Sequence, residues 1–64
     1  MKRAKLKAFR TSKGLTQKGV AEMLGISTIH YACIEQGTHN PSTKLVKVFC
    51  KVFGYENANL IIGS

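Results

Sequence analysis

Acidic residues are nearly missing from this 64-residue chain: 3 Asp and Glu stand against 10 Lys and Arg, for a formal charge of +7. That shortage leaves little for acid–base catalysis and favours a polyanionic partner, nucleic acid first and an anionic membrane surface second. Long apolar runs are missing as well. Nothing approaches the roughly 20 residues a membrane span needs, and the longest apolar patch is broken by Lys47 and Lys51. Cysteine is limited to Cys33 and Cys50, both in apolar helical stretches, and residues 1–9 are too basic and too broken for a secretory leader. A soluble, reduced, cytoplasmic protein is expected. No stretch alternates with period two over a useful length, which argues against a sheet. Low complexity is slight and apolar content is 44%, so a folded core is expected rather than a basic disordered tail. Residues 1–64 are expected to form one domain, because a body this small buries only about 60% of its unfolded surface and has no room for a separate effector unit.

What is present is regular punctuation. Gly14, Gly25, Gly37 and Gly54 divide the chain into segments whose apolar residues recur every three to four positions, predicting five short helices. The first spans about Lys2 to Lys13, with Leu6, Ala8 and Phe9 inward and Lys2, Arg3, Lys5, Lys7 and Lys13 facing water or a partner. Thr16 is the expected N-cap of a second helix ending at Leu24, with Val20, Ala21 and Leu24 buried. Gly19 inside that helix costs about 1 kcal/mol relative to alanine, and the sequence shows no packing reason for it. Gly25 and Ile26 form a tight connection, and Ser27 caps a third helix ending before Gly37, so the two helices must cross steeply. After Thr38, His39 and Asn40, the pair Pro41 and Ser42 opens a fourth helix with Asn40 as its expected cap. On a helical wheel, Leu45, Val46, Val48, Phe49, Cys50, Val52 and Phe53 fill an arc of roughly 200°, too wide for one packed face. The fourth helix is therefore central, covered on its second flank by the last segment, Glu56 to Ile62, or by a second subunit. Leu60, Ile61 and Ile62 are expected to do some of both.

The segment from Thr16 to Ser27, followed by Tyr31, Ile34, Glu35 and Gly37, is the most informative. A small Ala21 lets two helices approach, Gly25 permits the turn, and Ile26, Tyr31 and Ile34 pin the third helix from beneath. Its opposite face is left projecting, sized for a major groove about 12 Å wide.

Together with Leu6, Arg10, Gly14, Leu15, Gln17, Leu24, Pro41, Ser42 and Gly54, these residues resemble the phage-repressor and Cro-like helix-turn-helix family, the xenobiotic-response-element type, over residues 4–54. The resemblance implies an all-α, lambda-repressor-like five-helix bundle acting as a transcriptional regulator, with double-stranded DNA as partner and a homodimer on DNA. No cofactor is expected, and no residue of the sequence marks a small-molecule effector. Carried over by position, it places Gln17, Lys18, Ser27, Thr28, Ile29, Cys33, Gln36, Asn40, Thr43 and Lys44 at the duplex, and pairs Arg10 with Glu35 as an internal salt bridge. Base reading usually relies on Arg, Lys, Asn or Gln, yet the outward face offers Thr28, Ile29, Ala32 and Cys33. A preference for A/T-containing half-sites, with selectivity carried largely by DNA shape, is therefore expected.

Blander alternatives stand beside these expectations. The cations of the first helix serve either phosphate or solubility, and Ile29 suits a protein interface as well as a thymine methyl. The same fold serving as an antitoxin-like or anti-repressor interaction module is the main rival. His30 and Cys33 lack two further ligands at zinc-site spacing, so no metal is expected. Cys33 is expected exposed, Cys50 buried, and Tyr31 packed with its hydroxyl at the rim. His39 is expected as a surface histidine. An enzyme is disfavoured, since no Ser-His-Asp set or phosphate-cradling loop is present.

Overall fold

Hydroxyl side chains set where three of the helices begin. In the computed structural model, which describes residues 2–62, Thr16 Oγ1 accepts from Gly19 N at 2.9 Å, Ser27 Oγ from His30 N at 3.1 Å and Ser42 Oγ from Leu45 N at 3.1 Å. The helices they open are Gln17–Leu24 (α2), Thr28–Gln36 (α3) and Thr43–Phe53 (α4); Ala4–Ser12 (α1) precedes them, and a 3-10 turn at Tyr55–Asn57 leads into Ala58–Ile62 (α5). The fold is all-α, with no strand among the described residues. No helix among them is long and apolar enough to cross a membrane.

The core joins all five helices: Leu6 from α1, Val20, Ala21 and Leu24 from α2, Tyr31 and Ile34 from α3, Leu45 and Phe49 from α4, and Ile61 from α5. Phe53 extends it toward α1, meeting Phe9 edge-on at 5.6 Å between ring centres and Phe49 at 5.0 Å. The wide apolar arc of α4 is used as its width requires. Leu45, Phe49 and Cys50 are buried, Val46, Val48 and Phe53 half-buried, and Val52 lies at the surface. In α5, Ile61 is fully buried and Leu60 half-buried, while Ile62 remains 56% exposed.

Gly25 carries the turn between α2 and α3. Its φ of +75° and ψ of 28° lie in the left-handed region, and its N–H caps the α2 carbonyls, a conformation that glycine adopts without the Cβ penalty. Gly19 also has a visible cause: a Cβ there would sit 3.2 Å from Thr16 Oγ1, pressing on the capping hydroxyl.

Several local expectations are corrected. The first helix begins at Ala4 rather than Lys2 because the Arg3 backbone is not helical (φ −89°, ψ 71°), and its N–H donates across the fold to Glu35 O at 2.7 Å. Arg3 is not on the solvent face; only 6% of it is exposed. Ala8 is exposed rather than inward. Asn40 does not cap the fourth helix, since Ser42 does so and the Asn40 Oδ1 accepts from Arg3 Nη2 instead. Cys33 is half-buried rather than exposed. The Tyr31 hydroxyl is not at the rim: the residue is sealed at 0% exposure, and among the described residues its oxygen meets no partner in hydrogen-bond geometry.

Candidate nucleic-acid interface

α3 is half core and half surface. Tyr31 and Ile34 are fully buried on one side, while Thr28, Ile29, His30 and Gln36 are exposed, Ile29 to 78%. An isoleucine that open at the start of a helix gains nothing from the fold, so that side is free for something else.

The helix starts supply donors beside it. Each cap occupies the third amide of its helix, which leaves the first two amides of each helix without an intrahelical partner. Those belong to Gln17 and Lys18 in α2, Thr28 and Ile29 in α3, and Thr43 and Lys44 in α4. With the positive end of each helix dipole behind them, such amides suit an anion. Two recesses relate these starts to α3. One, of about 310 Å³, is lined by Lys2, Lys7, Gln17, Glu35 and Gln36, joining the start of α2 to the far end of α3. The other, of about 240 Å³, is lined by Gly25, Ile26, His30, Ser42 and Lys44, joining the start of α3 to that of α4.

Charge is partitioned by residue type. Every lysine is exposed and both arginines are buried. The ammonium groups are thus available to a partner, whereas the guanidinium groups work inside. Arg10 Nε donates to Glu35 Oε2 at 2.6 Å, and its Nη1 donates to Leu15 O at 2.9 Å. Gln17 Nε2 donates to Glu35 Oε1 at 3.2 Å. The last turn of α1 and the start of α2 are therefore both tied to one carboxylate in the last turn of α3.

This network explains the titration of its members. Burial by itself pushes the Glu35 carboxyl up, but hydrogen bonding from Arg10 and Gln17 outweighs it, so the group lies below its ordinary value. The hydrogen bond to Glu35 outweighs desolvation at Arg10 and holds its guanidinium above its usual value. Tyr31 is pushed up, first by burial and then by the neighbouring carboxylate.

Of the residues picked from the sequence, Lys18, Ser27, Thr28, Ile29, Gln36, Asn40, Thr43 and Lys44 lie at the surface. Gln17 and Cys33 are half-buried, and the Gln17 amide is partly engaged by Glu35. Lys2 and Lys7, which line the recess with Gln17 and Gln36, were not among the picked residues. Neither was His30, whose ring packs edge-on against His39 at 6.1 Å. Their signal in the sequence was charge without a position, because spacing along α1 does not say which helix end it will meet. Among the described residues no group of three or more metal-ligating side chains comes together.

A short bundle with a glycine turn between two capped helices, the second presenting an open face, defines the helix-turn-helix class of protein. The chain belongs to this family: the Helix-turn-helix family model matches residues 6–56. Similar proteins include an uncharacterized HTH-type transcriptional regulator of Methanocaldococcus jannaschii, 38% identical over 91% of this chain and 88% of its own length. An uncharacterized HTH-type transcriptional regulator of Archaeoglobus fulgidus is 30% identical over 94% of this chain and 86% of its own. The uncharacterized HTH-type transcriptional regulator YazB of Bacillus subtilis is 42% identical over 67% of this chain and 62% of its own. No solved structure matches the chain.

Proposed function

We propose that this protein is a DNA-binding transcriptional regulator that lays α3 in the major groove and represses by occupying its operator. The observation that carries the proposal is Ile29, 78% exposed on a helix whose other side is sealed, with free helix-start amides and lysines on either flank. Ile29 meets a thymine methyl and Thr28 either polar base edge. Cys33 and Gln36 follow along the groove. Gln17, Lys18, Asn40, Thr43 and Lys44, with the free amides, take backbone phosphates, and Ser27 holds the start of α3 in place. The half-sites contain A/T pairs. Two copies bind a pseudo-palindrome about one helical turn apart, with exposed Ile62 at the contact between them.

Selection from a random duplex library at near-physiological salt tests this directly. An enriched motif with paired half-sites is the expected result; a pool without enrichment removes the proposal. With roughly four to six phosphate contacts per subunit, the logarithm of affinity falls steeply against the logarithm of salt.

A second reading, a protein-interaction module of antitoxin or anti-repressor type, draws on one observation: the open face of α3 centres on an isoleucine and carries few base-reading donors. A protein partner held there through apolar contact persists at salt concentrations that strip a duplex away.

A further inference from the structure

The buried arginine at the N-terminal end of the chain holds the segment that follows α3. Arg3 Nη1 donates to Ile34 O at 2.6 Å and to His39 O at 3.2 Å, and Nη2 donates to Asn40 Oδ1 at 3.0 Å. Its backbone N–H donates to Glu35 O at 2.7 Å. The cation thus sits on carbonyls at the C-terminal end of α3, where the helix dipole is negative. Thr38 N and His39 N also donate to Cys33 O at 3.0 and 3.3 Å. The loop is therefore held by two sets of hydrogen bonds, and residue 3 supplies one of them.

We propose that Arg3 is a positioning residue for the duplex interface: it fixes the loop after α3 and turns the Asn40 amide so that its NH2 group is presented to a backbone phosphate. This rests on the DNA-binding reading above. The chemistry leaves one orientation for Asn40. A guanidinium has donors only, so the Asn40 atom facing Nη2 must be the carbonyl oxygen. With that oxygen engaged, the NH2 group lies on the other side of a planar amide, and Asn40 is exposed. Lysine cannot replace the arginine, because a single ammonium lacks the rigid fork needed to reach Ile34 O, His39 O and Asn40 Oδ1 together.

Asn40→Asp separates holding the loop from meeting the duplex. A carboxylate accepts from Arg3 at least as well as an amide oxygen, so the thermal midpoint stays level or rises. The same change removes the donor and sets a negative charge toward phosphate, so affinity for the selected duplex falls about tenfold or more and the salt slope drops by about one. Arg3→Lys keeps the charge but loses the fork. It is expected to remain helical, to exchange the Thr38 and His39 amides faster, and to bind the duplex several-fold more weakly with its base preference opposite Thr28 and Ile29 unchanged. A purely structural part for Arg3 would move stability and affinity in the same direction in both variants. Wild-type affinity in Asn40→Asp, or wild-type affinity and exchange in a folded Arg3→Lys, overturns the proposal. If the unmodified protein itself binds no duplex, the DNA-binding reading has failed; if it binds and the variants bind equally, only the assignment of Arg3 and Asn40 has failed.

Discussion

Replacing Arg10 with methionine keeps most of the side-chain volume and removes the charge that Glu35 relies on. In the intact protein Glu35 receives Arg10 Nε at 2.6 Å, Arg10 Nη2 at 3.4 Å and Gln17 Nε2 at 3.2 Å, with Glu35 only 5% exposed. After the substitution Gln17 remains as its clear donor, and an uncompensated buried carboxylate costs about 3–5 kcal/mol. A domain of this size has a total stability of only about 3–10 kcal/mol, so the variant sits near the edge of folding at neutral pH. The dependence on pH is the sharper test. In the intact protein the Glu35 carboxyl is held below its ordinary value, so its contribution is present above about pH 4.3 and is lost as pH falls below that. In Arg10→Met the strongest influence left is burial, which raises the pKa. Stability is then fully present below about pH 4.3 and declines as pH rises. The deficit of the variant should shrink from about 3–5 kcal/mol near pH 7 to a value at least about 1 kcal/mol smaller near pH 4, because the variant's buried carboxyl has taken up its proton there while that of the intact protein, held below its ordinary value, keeps most of its charge and its ion pair. Urea unfolding followed by far-UV circular dichroism at both pH values measures this. Parallel stability curves for the two proteins, with the same deficit throughout, would refute the account of the ion pair.

Further outcomes follow from single positions. Ile29→Ala should leave stability within about 0.5 kcal/mol, because the side chain is 78% exposed, while changing which base pair is preferred in library selection; an unchanged motif would show that Ile29 reads nothing. Ile34→Ala, at a fully buried position of the same helix, should cost about 2–5 kcal/mol in urea unfolding. Ser27→Ala removes the cap on His30 N and should cost about 1 kcal/mol. A loss under a few tenths would mean that water replaces the hydroxyl. Gly25→Ala meets no atom within 4 Å of the new Cβ, so its cost should be the left-handed backbone alone, about 1–2 kcal/mol. A much larger loss would point to a turn contact the geometry does not contain.

The helices themselves were legible from local chemistry. Thr16 and Ser27 cap where hydroxyls before apolar periodicity are expected to, Gly25 and Gly37 end helices in left-handed conformation, and the width of the α4 stripe announced a central helix. These features depend on neighbours within one turn, and such neighbours are fixed by chain order. The open face of α3 was legible for the same reason, since Tyr31 and Ile34 share one side of the helix and Ile29 does not.

Arg3, Asn40 and the Tyr31 hydroxyl were a different matter. Arg3 looked like one more cation in a basic run, and Asn40 looked like a cap. Each was reassigned by a contact across more than thirty positions of sequence, since Arg3 bonds to Ile34, His39 and Asn40. Charge and hydrogen-bonding capacity belong to a residue wherever it sits, so composition determined the net charge and the caps determined the helices. Which cations stayed in water was decided only when packing brought the end of α3 over the N-terminal segment, where free carbonyls at a helix terminus could hold a guanidinium out of solvent.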